Sequence, residues 1–125
     1  MAEPYVFKLA SQRSEWLSTR ETLIAGNVAN ANTPGYRATD LQPFSSVLDA
    51  TQMTMATTNP MHMTPTEQDL NPARVVETDP SDETISGNSV RLENEMIKLG
   101  DVNRDYTMDT NLKRVMHQMM LSVLK

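Results

Sequence analysis

The stretch Asn27-Val28-Ala29-Asn30-Ala31-Asn32-Thr33-Pro34-Gly35-Tyr36 decides how this chain is read, because a helical pattern runs into it and cannot run through it. Pro34 disfavours the helical region for Thr33 and fixes its own φ for the second position of a turn. Gly35 supplies the positive φ that a type II turn requires next. Asn30 and Asn32 carry side chains that satisfy loose carbonyls and amides, and Tyr36 brings a ring to pack and a hydroxyl to bond. The spacing predicts a helix stop followed by a shaped loop.

Upstream, Leu9/Ala10, Trp16/Leu17 and Leu23/Ile24 recur every seven residues, with Val6 and Val28 extending the stripe. This predicts a helix from about Pro4 to Ala31, with Pro4 in its first turn, where a missing N–H does no harm. Arg13, Arg20 and Asn27 fall between the apolar pairs as candidate register-setting groups on a face that docks against another helix. The same stripe also suits an ordinary amphipathic core helix.

The far end repeats the theme. Leu92, Leu99, Tyr106, Lys113 and Met120 form one seven-residue series, and Val102, Asp109, Met116 and Val123 form another. A second helix is expected from about Ser89 to Val123, with Gly87-Asn88-Ser89 as its cap, Glu93 and Glu95 near its positive end, and Asp109 and Lys113 spaced for an i,i+4 pair. Met116, Met119 and Met120 read as adaptable packing groups.

Between the helices, residues 41 to 88 set Arg74 against Asp49, Glu67, Asp69, Glu77, Asp79, Asp82 and Glu83, so this stretch carries −6 and accounts for the whole net charge of −5, the two ends being nearly neutral. The middle is expected to be irregular, partly extended or disordered, with Leu41 to Leu48 as a helical turn or strand. Val75-Val76 and Thr84-Ile85 are strand-like fragments too short to support a sheet alone. The expected organisation is an N-terminal helix over 1–31, a turn and loop over 32–48, an acidic Thr/Pro/Met-rich segment over 49–87 and a C-terminal helix over 88–125. The fold class is mainly α, with the long terminal helices packing as a coiled-coil-like pair.

Function classes narrow on composition. The chain has 125 residues with 38% apolar and 5% aromatic side chains, short of ordinary core material, so the monomer is expected to be incompletely folded by itself. Negative charge argues against nucleic acid and anionic membrane, which both call for a basic face. No run of apolar residues is long enough to span a bilayer, and the N-terminus lacks the pattern of a cleaved signal. His62 and His117 lie in unrelated contexts, and no phosphate-binding glycine loop or catalytic triad pattern is visible, so no enzyme and no cofactor is expected. Met53, Met55, Met61, His62 and Met63 could suit Cu(I) as soft ligands. Without cysteine, packing or surface methionine is the better reading, and no metal site is assigned.

The run Arg20-Glu21-Thr22-Leu23-Ile24-Ala25-Gly26 leading through Asn27 to Tyr36, and on through Arg37-Ala38-Thr39-Asp40-Leu41-Gln42-Pro43-Phe44, resembles the N-terminal signature of bacterial flagellar rod and hook proteins, most closely the proximal rod type. Asn88 to Leu99, followed by Asn103 and Tyr106, is similar to that family's C-terminal helix, and Thr57 to Met63 to its mid-chain segment. The resemblance implies a structural subunit that stacks helically, its terminal helices forming a tube around an export channel in the rod that crosses the periplasm. It implies as partners other rod subunits, the proteins of the MS-ring/rod junction and the flagellar type III apparatus, which would export the chain without a cleaved signal. A different proximal rod component, or a soluble helical adaptor or export chaperone, is the alternative. On this reading Leu9, Trp16, Leu23 and Val28 pack with Leu92, Leu99, Tyr106 and Met116 between helices. Asn30, Asn32, Thr33, Pro34, Gly35 and Tyr36 form a loop against a neighbouring subunit, and Arg13, Arg20 and Lys113 set register.

Overall fold

The computed structural model of the protein describes residues 5–52, 61, 74–78 and 83–125. Five elements follow in order: α1 (Tyr5–Ala29), β1 (Thr39–Leu41), α2 (Phe44–Gln52), β2 (Val75–Glu77) and α3 (Leu92–Val123). The N-terminal half of α1 meets the C-terminal half of α3, as Ser14 with Asp109, while the other ends meet at Asn27 and Glu95. The two long helices therefore lie antiparallel.

Their shared face follows the seven-residue period. In α1 the buried positions are Ala10, Leu17 and Ile24, then Asn27, and in α3 they are Glu95, Val102 and Asp109. Leu17, Ile24 and Val102 form the hydrophobic centre, with Trp16, Val28 and Leu99 half-buried against it. Both ends of the α3 line are carboxylates, so the apolar contact is short and polar groups close it on either side. The fold class expected from the pattern, two long helices paired around a narrow seam, is the one observed.

Several local expectations are revised. α3 begins at Leu92, later than Ser89, and Arg91 at its N-cap makes no side-chain capping bond. Asn88 and Ser89 have other partners, described below, so Gly87-Asn88-Ser89 is not the cap. Lys113 and Asp109 do not pair directly along the helix: the Ser14 hydroxyl of α1 lies between them, donating to Asp109 Oδ2 at 3.0 Å and accepting from Lys113 Nζ at 2.7 Å. The fragment near Leu41 divides into a strand end and a nine-residue helix. Val75-Val76 pairs antiparallel with β1, in the register Thr39 with Glu77, Asp40 with Val76 and Leu41 with Val75. Two three-residue strands are too short to hold alone. They persist because side chains of α1 and α3 grip β1. Thr84 and Ile85 lie in a turn region, outside the strands.

Candidate functional site

The helix-ending motif folds as its residues dictate. Tyr36 N–H donates to the Thr33 carbonyl at 3.3 Å, closing a turn across Pro34 and Gly35, and Gly35 takes φ 73°, as a type II turn requires. Asn30 Nδ2 turns back to the Gly26 carbonyl at 2.8 Å, and Thr33 Oγ1 donates to Asn30 Oδ1 at 3.2 Å. Asn32 is exposed and stands outside this network. The carbonyls of the turn after α1 are met from the far side of the chain: Asn88 Nδ2 lies 2.9 Å from the carbonyl of Asn30, 3.0 Å from Ala31 and 2.7 Å from Thr33. A helix end leaves its last carbonyls without intrahelical donors; here Asn30 and Ala31 meet those of Gly26, Asn27 and Val28, and the Asn88 amide ties down the turn that follows.

Asn88 is held for this task by its own neighbours. Its Oδ1 accepts from Val90 N–H at 2.8 Å, and its backbone carbonyl accepts from Thr84 N–H at 2.9 Å. Ser89 closes the other side: its N–H donates to the Tyr36 carbonyl, and its Oγ accepts from Ala38 N–H at 2.8 Å. Gly35 N–H donates to Ser86 O at 2.9 Å, and Gly87, with φ 77°, lies so close that a Cβ there would meet Gly35 Cα at 3.4 Å. Two glycines with positive φ thus bring the turn after α1 against the turn before α3.

A second cluster ties β1 between the helices. Asn27, with 0% of its surface exposed, presents its amide edge to Thr39 like a neighbouring strand, donating to the Thr39 carbonyl at 2.8 Å and accepting from its N–H at 3.1 Å. The same Nδ2 reaches Glu95 Oε2 at 3.1 Å, and Glu95 Oε1 accepts from Lys98 Nζ at 3.2 Å. Lys98 bridges on to Asp40 at 3.3 Å, and Arg20 grips Asp40 through Nε at 3.0 Å and Nη2 at 3.2 Å. Burial pushes the Asp40 carboxyl up. The Arg20 hydrogen bond and charge, the Leu41 N–H and the Lys98 charge outweigh it and hold Asp40 below its ordinary value of 3.8. Arg20 also lies over the Trp16 ring at 5.5 Å, while Trp16 Nε1 donates to the Gln42 carbonyl at 2.9 Å and its ring packs tilted against Phe44 at 5.9 Å.

The residues singled out from the sequence divide between these places. Trp16, Val28 and Leu99 flank the hydrophobic centre, while Leu9, Leu23 and Met116 are half-buried. Leu92 and Tyr106 are exposed on α3. Asn30, Thr33, Pro34, Gly35 and Tyr36 form the turn under Asn88, and Tyr36 places its hydroxyl 4.0 Å from where a Cβ on Gly26 would lie. Arg13 pairs with Asp105 of α3 at 3.5 Å, whereas Arg20 is bound to the strand. Sequence reasoning missed the roles of Asn27, Asp40, Glu95 and Lys98 as one network. The signal available was Glu95, which stands seven residues before Val102 where the series calls for an apolar residue or for a partner, whereas Asn27 and Lys98 lie off the apolar series and Asp40 lies in β1, outside both helices. Of the Met and His cluster, Met53, Met55, His62 and Met63 lie outside the described residues.

Among the described residues the arrangement is a set of cross-links between elements. No described helix is long and apolar enough to cross a membrane. No protein-family model matches the chain. A full-length likeness decides its kinship: the chain is 43% identical over 126 residues to the "Flagellar basal body rod protein FlgB" of Agrobacterium fabrum, covering 96% of this chain and 92% of that one. The chain belongs to the FlgB family of flagellar basal body rod proteins. It is a structural subunit of the rod and not an enzyme. The two networks of this FlgB-family chain join helix ends that lie far apart in sequence.

Proposed function

We propose that copies of this FlgB-family chain stack helically into the proximal rod, their α1 and α3 helices forming a tube around an export channel that crosses the periplasm. The observation that carries the reading is the imbalance of α3: its inward line is short and partly polar, while Leu92, Met96, Ile97, Tyr106, Met108 and Leu112 stay exposed. A helix apolar on more than its core-facing side is suited to further helices as neighbours. Leu9, Trp16, Leu23 and Val28 with Leu92, Leu99, Tyr106 and Met116 border the seam where a neighbour packs, and the turn from Asn30 to Tyr36 contacts the next subunit. A contact between unlike surfaces that does not close on itself builds an open helix. The other partners are further rod subunits, the proteins of the MS-ring/rod junction and the flagellar type III apparatus, through which the chain leaves the cytoplasm before it completes its packing.

The test is deletion of the gene in its source bacterium, with re-expression as control, scored by swimming and by electron microscopy of purified basal bodies. Non-motile cells whose basal bodies lack a rod support the reading. Normal rods without a duplicate gene overturn it.

A further inference from the structure

The helix pair has a head, where α1 ends and α3 begins, and a tail, where α1 begins and α3 ends. At the head, Gly87 N–H donates to the Thr84 carbonyl at 2.8 Å and closes a turn with Ile85 and Ser86 at its centre. Thr84 N–H donates to the Asn88 carbonyl, and the Ser86 carbonyl accepts from Gly35 N–H, each at 2.9 Å, so both arms of that turn are fixed. Ile85 at its tip is wholly exposed. Leu92 and Met96, one turn apart on α3, add a second exposed apolar pair at the same end.

At the tail, α3 outruns its partner. Ser14 faces Asp109, and α1 has nine residues before Ser14 whereas α3 has fourteen after Asp109. α3 therefore extends about five residues, roughly 7 Å, past Tyr5. This stretch carries Met119, Met120 and Leu121, all exposed, with Val123 and Leu124 at 84% and 82% exposed. At 100° per residue these five side chains cover more than half of the helix circumference.

Charge separates the two ends as well. From Tyr5 to Ser14 and from Thr110 to Lys125 the sequence holds Lys8, Arg13, Lys113, Arg114 and Lys125 and no acidic residue. The head exposes Glu83 and Glu93 on either side of Arg91, and neither glutamate has an ion pair among the described residues. Tail against tail would set basic residues against basic ones and reverse every second copy. Head against tail brings the glutamates to the basic end and keeps all copies pointing the same way.

We infer that the Ile85 turn and the Leu92–Met96 pair of one copy seat on the Met119–Leu124 end of α3 in a second copy of this chain, head to tail, with Glu93 paired to Lys125 across the contact. Along such a column α1 and α3 keep their directions from copy to copy, as a tube of one polarity requires. α3 alone spans about 48 Å, so one copy cannot bring its own Ile85 to its own Val123. The contact joins unlike surfaces and so propagates. This rests on the self-assembly proposed above and names its end-to-end surfaces; the Gly35 turn assigned there to the next subunit is hydrogen-bonded to the Ile85 turn.

The chain has no cysteine, so introduced thiols report on this contact alone. Strains carrying Ile85→Cys, Val123→Cys or both substitutions in one chain would be oxidised with copper phenanthroline, and their isolated basal bodies blotted for the chain on non-reducing gels. Both positions are exposed, and circular dichroism of each purified variant against wild type checks that the fold is kept. The doubly substituted chain should give a ladder of linked copies, and each single variant only the unlinked band. Dimers from Val123→Cys alone, dimers from Ile85→Cys alone, or no ladder in rods that hold the double variant overturn the proposal. A thiol–amine cross-linker on Ile85→Cys rods names the occupant: a link to another copy agrees with the contact, and links to other proteins alone overturn it. A lysine cross-linker on the same basal bodies keeps the two readings apart. Copies joined through lysines without a thiol ladder leave self-assembly standing and remove only this contact, whereas rods that hold the chain and yield no copy-to-copy link by any reagent remove self-assembly itself. Glu93→Lys and Lys125→Glu should each lower the ladder yield of the doubly substituted chain, and the combined exchange should restore it. An exchange that fails to restore the ladder overturns the Glu93–Lys125 pairing.

Discussion

Asn27 and Glu95 face each other across the helix seam, amide nitrogen to carboxylate oxygen at 3.1 Å, both almost wholly removed from water. Sixty-eight residues separate them in sequence. Asn27 serves Thr39 on one side and Glu95 on the other, so its removal takes a partner from the buried Glu95 carboxylate and from the half-buried Thr39 N–H and carbonyl at once. Asn27→Ala is expected to destabilise the purified chain by about 2–3 kcal/mol, since each unsatisfied group costs about 1–3 kcal/mol less whatever water recovers. Asn27→Asp should be worse at neutral pH, because it sets a second carboxylate against Glu95 and loses the donor to Thr39. Urea titration followed by circular dichroism checks both, and an Asp variant as stable as wild type would sink the assignment.

The paired turns make an ordered prediction for three glycines. Gly87→Ala meets a strained φ of 77° and a 3.4 Å contact with Gly35 Cα, while Gly35→Ala meets a φ of 73° in open space. The left-handed conformation costs an L-residue about 1–2 kcal/mol, so both variants lose stability and Gly87→Ala loses more. Gly100, inside α3, has nothing within 4 Å of a Cβ. Gly100→Ala should therefore stabilise by up to about 1 kcal/mol through helix propensity. Thermal melts of the three variants decide the order, and a Gly100 variant that melts lower than wild type would show that α3 needs that gap.

Asp40 gives the pH dependence. Its folded pKa lies below the unfolded value of 3.8, so the folded state binds its proton less readily. The stability it contributes is complete above 3.8 and is lost as pH falls from there through the lower folded value. Asp40→Asn should thus differ from wild type in urea midpoint at pH 7, and the difference should shrink in strong acid. Carboxyl NMR titration that places the Asp40 midpoint above 3.8 would contradict the Arg20 and Lys98 assignment.

The helices and the turn were legible because their signals are local. A seven-residue recurrence marks a seam wherever it occurs, and Pro34-Gly35 specifies its turn within four residues. What the sequence left open was which member of each apolar pair faces inward. A straight helix drifts about 20° per seven residues, so Leu9/Ala10, Trp16/Leu17 and Leu23/Ile24 look equivalent on paper. The structure turns Ala10, Leu17 and Ile24 to α3 and leaves their partners half-buried. The cap at Gly87-Asn88-Ser89 misled for the opposite reason: Asn88 has the chemistry of an N-cap, but carbonyls of the turn after α1, 55 to 58 residues away, claimed its amide. Val75-Val76 reads as strand-like in the sequence, but its pairing with Thr39–Leu41 does not, because what holds β1 in place is side chains, Asn27 above all.

That choice of inward member yields a last contrast. Leu17 packs fully against Ile24 and Val102, whereas Leu23 keeps part of its side chain in water. Leu17→Ala removes buried methyl groups from the middle of a narrow core and leaves a cavity between two helices, which should cost about 2–4 kcal/mol. Leu23→Ala loses only part of that burial and should cost less than about 1.5 kcal/mol in the isolated chain. In the rod the ranking need not hold, because Leu23 borders the proposed contact with a neighbour: Leu23→Asp should leave the purified chain folded yet prevent rod assembly. Urea midpoints of the alanine variants and electron microscopy of basal bodies from the aspartate variant separate the two roles. A Leu23→Ala midpoint as low as that of Leu17→Ala would place Leu23 in the subunit's own core, and normal rods with Leu23→Asp would remove it from the contact between copies.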